Sequence, residues 1–337
     1  MNDNSIPDDN RLSGLHQLGE IFFHGERMKY VVTGGAGFIG SHIVEELVRR
    51  HHEVIILDDL FSGKRENIES FLSNPGVSFV QGSITSLPLL KETFAGADGI
   101  FHEAAIASVP RSIANPIATN EANVTGTLNV LVAARDCGVK KVVFASSSSV
   151  YGNTPTLPKR EDMMPNPLSP YAISKLTGEQ YLRVFFEVYG LKTVALRYFN
   201  VFGPRQDPKS QYAAVIPNFI TRILQNQSPI IHGDGRQTRD FSYVKDVVQA
   251  NLKAMESDAT GVFNVAYCKR IDLLELASFI MEITGITVPF AFEPARAGDV
   301  RDSLADISRA QQAFGYAPEY TVKSGLEETV AWYRKQV

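Results

Sequence analysis

The 337 residues predict an α/β protein with a doubly wound parallel sheet and a smaller mixed α/β C-terminal region. Three observations lead there. Short apolar runs alternate with helical patterns from Met28 to about Leu196. A glycine-rich turn joins the first run to the first helix. After Asn200 the pattern changes and Pro and Gly become frequent. Such alternation implies parallel strands covered by helices on both faces. Residues 1–27 form an extension and 28–196 the sheet, with returns expected near 238–268. Residues 197–337 form mainly a region that would cover a ligand.

Taken in order, Lys29–Thr33, Glu53–Leu57, Val77–Val80, Gly99–Phe101, Lys141–Ala145 and Thr193–Leu196 read as buried strands. Each is a short apolar run between polar or turn residues. Gly40–Arg50, Leu87–Phe94, Asn120–Cys137 and Tyr171–Tyr189 carry apolar residues at helical spacing. Beyond Asn200, helices are expected near Ile216–Gln225, Val244–Met255, Leu273–Thr284 and Ser324–Lys335. Gly203-Pro204, Asp207-Pro208 and Gly233-Asp234-Gly235 break the chain between them. In the extension, Leu12, Leu15, Leu18 and Ile21-Phe22 predict a short amphipathic helix.

Composition excludes several classes. At 44% hydrophobic, 21% charged and a net charge of −4, the chain is an ordinary globular one with no basic surplus for nucleic acid or anionic lipid. No apolar run is long enough to span a bilayer, and residues 1–27 lack the layout of a signal peptide. The two cysteines, Cys137 and Cys268, stand far apart, which favours a reducing compartment, and a cytoplasmic location is expected. The seven histidines show no metal-ligand spacing, so no metal is expected.

Gly34, Gly37 and Gly40 fall in Thr33-Gly-Gly-Ala-Gly-Phe-Ile-Gly-Ser41, between the first strand and its helix. The first permits a tight turn, the second lets backbone approach a pyrophosphate, and the third allows close helix–strand packing. The helix N-terminus adds N–H donors for the anion. The second strand ends in Asp58, where a carboxylate can accept both ribose hydroxyls of NAD and repel a 2′-phosphate. Asp59 beside it adds to that preference. The sheet is therefore expected to be of the Rossmann type.

Tyr171 and Lys175 lie four apart, one turn from each other on one helix face. A free tyrosine titrates near pH ~10, and a neighbouring ammonium is expected to favour the phenolate. Such a base could take a proton from a sugar or alcohol hydroxyl. The serine run Ser146–Ser149 offers a hydroxyl for the same substrate oxygen. Both features fall at the carboxyl edge of the sheet, where a nicotinamide ring should lie.

These residues, with His102-Glu-Ala-Ala105, the serine run ending in Tyr151-Gly152 and Tyr171-Ala-Ile-Ser-Lys175, resemble the extended short-chain dehydrogenase/reductase family from about Lys29 to the C-terminus. Leu196–Pro204, Gly233–Phe241 and Arg296–Arg301 look like nucleotide-sugar 4-epimerases. Ser108–Ser112, Leu157–Asp162 and Arg205–Pro217 are similar to the UDP-N-acetylglucosamine 4-epimerase branch. The resemblance implies C4 epimerisation of a UDP-hexose on tightly held NAD, with Ser147, Tyr171 and Lys175 catalytic.

Residue by residue, it carries Gly34, Gly37, Phe38, Ile39, Asp58 and Asp59 to NAD. Ser62, Gly63, Ser83, Ile84, Ala104, Ala105, Asn123 and Tyr198 go with them, as do Tyr171 and Lys175. To the substrate it carries Ser108, Arg111, Ser147, Ser148, Ser149, Tyr171, Asn200, Ala214, Val215, His232, Arg239, Arg296, Asp299 and Ser303. Arg239 and Arg296 suit a diphosphate, since guanidinium forks pair with phosphate oxygens. Many relatives place Asp at position 83, so the Ser83 contact to adenine departs from the pattern.

Two further features concern specificity. Dehydratases of the superfamily carry Thr-Asp-Glu where this chain has Ser147-Ser148-Ser149, so 4,6-dehydration is disfavoured. Ser303 aligns with a gate that is a bulky Tyr in glucose-restricted 4-epimerases, so room for a 2-acetamido group is expected. The rivals are a UDP-glucuronate 4-epimerase or decarboxylase of the same fold, and a nucleotide-sugar-binding protein without turnover. Asn200, where glucuronate epimerases usually show Thr, argues against the first. The family usually dimerises through two long helices per subunit, here Thr119–Cys137 and Tyr171–Tyr189, so a homodimer is expected.

Overall fold

The computed structural model describes residues 26–208, 215–295 and 301–336. The extension helix expected within residues 1–27 lies outside the described residues. Six strands follow the predicted runs: β1 (Lys29–Thr33), β2 (Glu53–Asp58), β3 (Val77–Gln81), β4 (Gly99–His102), β5 (Lys141–Ser147) and β6 (Lys192–Tyr198). A seventh, Gly261–Val265, comes from the C-terminal half and extends the sheet beyond β6. All pairings are parallel, in the spatial order β3-β2-β1-β4-β5-β6 and then the seventh strand. The order reverses between β1 and β4, and there the carboxyl ends of the strands open a crevice.

The central strands are buried throughout, as a sheet covered on both faces demands. One apolar core, with Val32, Ile43, Leu47 and Phe101, packs Phe38–Arg49 and Val244–Glu256 on one face. The other, with Val31, Leu90, Leu131 and Phe144, packs Leu87–Phe94, Gly126–Asp136 and Pro170–Tyr189 on the opposite face.

The predicted helix Asn120–Cys137 is interrupted. Pro116–Asn120 leads into a π-helical turn, Glu121–Thr125, before Gly126–Asp136. Such turns are single local insertions that hydrophobic spacing does not reveal. Two short helices also escaped the sequence reading, Val109–Ala114 and Ser308–Phe314.

A third apolar cluster lies in the C-terminal region, where Val215–Leu224, Leu273–Thr284 and Val322–Tyr333 pack around Phe219, Ile231 and Phe241. Three two-stranded ladders tie it together: Val201–Phe202 with Ser242–Tyr243, Thr238–Asp240 with Arg270–Asp272, and Ile230–His232 with Ala291–Glu293. Among the described residues no helix is long and apolar enough to cross a membrane. No cluster of candidate metal ligands occurs among them either.

Candidate active site

The glycine turn is built as its spacing demands. Gly34 has φ +69°, and a Cβ there would lie 2.6 Å from Ala104 N, so no other residue fits without strain. A Cβ on Gly40 would meet the Gly34 carbonyl oxygen at 2.2 Å, which lets the helix start directly against the turn. Gly37 is the N-cap of that helix, and the unpaired N–H groups of its first turn face the crevice.

Asp58 ends β2 and is buried. Its Oδ2 accepts from Ala36 N at 3.0 Å and its Oδ1 from Leu60 N at 2.8 Å. Burial pushes the carboxyl above its ordinary value, and those two N–H groups restrain the rise. A Cβ at Gly63 would sit 2.7 Å from Oδ1, so the chain crosses directly over the carboxylate. Two acceptor sites remain on Asp58 for ligand hydroxyls. A turn that any side chain would fill, a helix N-terminus and this carboxylate fit a dinucleotide.

A cavity of about 1020 Å³ runs from this turn along the carboxyl ends of the strands. Phe38, Ile39, Asp59, Ser62 and Gly63 line its first part, with Ser83, Ile84, Ala104 and Ala105 beside them. Asp59 Oδ1 accepts from Phe61 N at 2.9 Å and shapes that loop. Ser83 Oγ accepts from Thr85 N and Oγ1, at 3.3 and 3.0 Å, and keeps its own proton to donate.

Asn123 departs from expectation: it is buried and does not line the cavity. Its Oδ1 accepts from Ile106 N at 2.8 Å, and its Nδ2 donates to Ser174 Oγ at 3.0 Å. From the π-helical turn it therefore braces the wall segment after β4 against the helix that carries Tyr171.

The reactive end of the cavity holds Ser147, Tyr171, Lys175 and Tyr198. Ser147 is the last residue of β5, opposite Tyr198 at the end of β6. Its Oγ accepts from Ser149 N at 3.1 Å and caps the turn Ser148–Tyr151. Pro170–Tyr189 starts beside it, with Ser169 accepting from Ala172 N at 3.1 Å and a proline in the first turn. Gly178 lies flat on the Phe144 ring, where a Cβ would come within 2.6 Å. That close approach turns Tyr171, Lys175 and Glu179 toward the sheet.

Lys175 is buried, donates to Ala145 O at 2.7 Å, and stands 4.8 Å from the Phe144 ring centroid. Burial pulls its ammonium down to about 8, opposed by the Glu103 carboxylate.

The electrostatics correct one expectation. Burial raises the Tyr171 phenol above its ordinary value, the Ser147 hydroxyl within hydrogen-bonding reach lowers it, and Glu103 raises it again. Lys175 Nζ lies 6.0 Å from the Tyr171 ring centroid and is turned to a carbonyl, so desolvation outweighs the ammonium.

His102, at the end of β4, plays a structural part. It bridges Thr33 Oγ1 and Thr127 Oγ1 at 2.8 and 2.9 Å, and burial pulls it down to about 3, which keeps it neutral. Glu103 follows it, edges the cavity and accepts from the Tyr198 hydroxyl at 3.0 Å. No spacing in the sequence pointed to Glu103.

A second cavity of about 500 Å³ lies under the C-terminal region, with Val215 and His232 in its wall. Asn200, Val201, Gln206 and Arg239 line both cavities, which therefore meet beside the reactive end. Asn200 donates to Asp240 O at 2.9 Å and to Ser303 Oγ at 3.1 Å, and Asp240 N donates to the same hydroxyl at 3.2 Å. Ser303 is thus a fixed part of the wall. Arg239 Nη1 donates to Thr238 O and Arg301 O, both at 3.0 Å, and the residue lines both cavities where they meet.

Ser108 caps Val109–Ala114, and Arg111 stacks 5.9 Å from the Phe61 ring centroid across the mouth of the first cavity. Ser148 lines the first cavity too, and Ser149 Oγ is buried without a hydrogen-bond partner. Ala214, Arg296 and Asp299 lie outside the described residues.

Residues 30–266 match the model of the NAD dependent epimerase/dehydratase family. A putative UDP-glucose 4-epimerase of Methanocaldococcus jannaschii is 42% identical over 306 residues, covering 90% of this chain and 98% of that one. The structure of a Methanobrevibacter ruminantium UDP-N-acetylglucosamine 4-epimerase, in complex with UDP-N-acetylmuramic acid, superposes with a TM-score of 0.90. It is 43% identical and covers 93% of this chain and 100% of that one. A Thermotoga maritima UDP-glucose 4-epimerase with UDP-glucose gives a TM-score of 0.87 at 40% identity, covering 92% and 99% of the two chains. The glycine turn, Asp58 and the Tyr–Lys pair thus stand in a frame shared along nearly the whole chain, which belongs to the NAD-dependent epimerase/dehydratase family of extended short-chain dehydrogenases/reductases.

Proposed function

We propose that this protein interconverts the C4 epimers of UDP-hexoses, with UDP-N-acetylglucosamine and UDP-N-acetylgalactosamine among its substrates. The observation that carries the reading is the junction of the two cavities at Asn200 and Arg239, beside Ser147 and Tyr171. One cavity suits a dinucleotide and the other a uridine, with Arg239 at the point where a sugar diphosphate would pass between them.

In the mechanism, Tyr171 takes the proton from the sugar 4-hydroxyl and returns it after the sugar has turned. Ser147, with one acceptor site engaged by Ser149 N, donates its own proton to the same oxygen as charge develops. Lys175 holds a positive charge under the phenol. NAD, when bound, supplies the acceptor and donor of hydride at C4 and brings a pyridinium charge to the cavity that favours the phenolate. Arg239 keeps the diphosphate anchored throughout. Gly34, Gly37 and Asp58 would hold the pyrophosphate and adenosine of the cofactor, so that it survives each turnover.

Initial rates on UDP-glucose, UDP-galactose and their two 2-acetamido counterparts test the reading, and conversion of the acetamido pair is expected. A pentose product from UDP-glucuronate would favour the decarboxylase rival. Ser303→Tyr is expected to cut the acetamido activity at least about tenfold while hexose activity stays within a few-fold. Because Ser303 Oγ also accepts from Asn200 and Asp240, Ser303→Ala is the control for those lost bonds. Unchanged acetamido rates in Ser303→Tyr would refute the gate.

The exposed side chains of Ile117, Ile173, Phe186 and Val188 on Pro116–Asn120 and Pro170–Tyr189 support a homodimer built on those helices. A single-chain mass by light scattering would contradict it.

A further inference from the structure

Glu103 is a half-buried ionisable group on the cavity wall that the mechanism above leaves unused. Its backbone N–H donates to Thr33 O at 3.0 Å and continues the edge of β4 along β1. Its carboxyl receives the Tyr198 hydroxyl at 3.0 Å, and Asn251 Nδ2 donates to that hydroxyl from behind at 2.8 Å. Asn251 is itself fully buried and donates to Val247 O at 2.8 Å. The carboxylate is therefore fixed at the wall of the cavity that holds Tyr171 and Lys175.

The groups that face it can be named element by element. Pro170–Tyr189 presents Tyr171 and Lys175, β6 presents Tyr198, and Val244–Glu256 presents the neutral Asn251. His102 precedes it on β4 and is held neutral between two threonines. Lys175 in turn donates to Ala145 O, and the β4–β5 register, which pairs His102 with Phe144, sets Glu103 beside Ala145, so the carboxylate that acts on its ammonium is that of Glu103.

We propose that Glu103 is a positioning residue for the reaction: held by the Tyr198 hydroxyl, its carboxylate keeps the buried Lys175 protonated and so sets the alkaline limit of activity. The inference rests on the functional reading only in taking Lys175 as part of the catalytic group. Burial pushes Glu103 up to about 7, with Tyr198 and Lys175 pulling it back. Lys175 is brought down to about 8, so the two groups titrate as a coupled pair.

Above about pH 7 Glu103 is charged and holds the lysine proton. Glu103→Gln keeps an acceptor for Tyr198 and removes the charge, so Lys175 deprotonates at lower pH. The alkaline limb of kcat is then expected to move down by about one pH unit. Toward pH 5 the wild-type carboxyl is itself neutral, and the two proteins should converge.

The test pairs this pH profile with a titration of lysine 13Cε resonances in the NAD-loaded protein, reading Lys175 as the one lost in Lys175→Met. A lower Lys175 midpoint in Glu103→Gln, with loss confined to alkaline pH, supports the proposal. An unchanged midpoint, or an equal loss at every pH, overturns it. Should Glu103→Gln fail to fold, Tyr198→Phe removes the hydrogen bond that favours the carboxylate. Its loss should then appear near pH 7 and vanish near pH 9, and an equal loss at both values contradicts the idea. The lysine titration needs no sugar, so failure to epimerise any UDP-hexose would sink the functional reading without touching this one.

Discussion

Tyr171→Phe is expected to lower kcat by about 10²–10⁴-fold, the usual contribution of a positioned acid–base group, while bound NAD and the fold persist. The ring stays in its place at the start of Pro170–Tyr189, and only the hydroxyl that reaches Ser147 is lost. Because burial raises the phenol above its ordinary value, the wild-type rate should climb toward alkaline pH until Lys175 loses its proton near about 8. The variant should lose that ascending limb. NAD content measured on the same sample separates lost chemistry from lost cofactor. A variant that turns over within tenfold of wild type would place the base elsewhere.

The second large effect lies behind the site. Glu179, one turn beyond Lys175, accepts from Arg197 Nε and Nη2 at 2.9 and 2.7 Å, with both residues buried. Ser146 Oγ donates to Glu179 Oε1 at 2.5 Å, and the Arg197 guanidinium lies 4.7 Å from the Tyr151 ring centroid. This network joins the helix of Tyr171 and Lys175 to β5 and β6 directly under Ser147.

Breaking such a pair leaves a desolvated charge, so Glu179→Ala should reduce stability by about 3–5 kcal/mol, read by urea unfolding. Arg197 Nη1 already lacks a partner in the fold, which leaves the guanidinium little to fall back on. The exposed pair Arg65–Glu69 gives the contrast, since its loss should cost less than about 1 kcal/mol. If the two substitutions cost the same, the buried pair does not hold the helix in register.

What could be read from the chain alone was what local geometry demands. Gly34, Gly37 and Gly40 are tied to a single turn, Asp58 to the end of the next strand, and Tyr171 to Lys175 by one helical turn. These requirements act within a few residues and leave a pattern. Glu103 stands in a motif that carries the resemblance, but its role left no pattern, because it depends on Tyr198, Lys175 and Asn251, which only the folded sheet brings together. The same holds for Glu179 with Arg197, and for Asn123, whose partners Ile106 and Ser174 lie on separate elements.

The acid–base balance at Tyr171 is not legible from spacing for a related reason. Sequence spacing shows that an ammonium is near, but not that it is turned to Ala145 O, nor how dry the phenol is. The seventh strand is a milder instance. Gly261–Val265 lies within the stretch where a return to the sheet was expected, and its pairing with β6 appears only in the fold.

In the proposed reaction C4 is inverted while its own hydrogen is kept by a cofactor that never leaves. Purified protein with no added NAD, incubated in D2O with UDP-N-acetylglucosamine and separately with UDP-glucose, tests this by proton NMR. A mixture of C4 epimers from the acetamido sugar is expected, with the C4 proton retained in the product. Deuterium at C4, or no product from either sugar while NAD is bound, would contradict it.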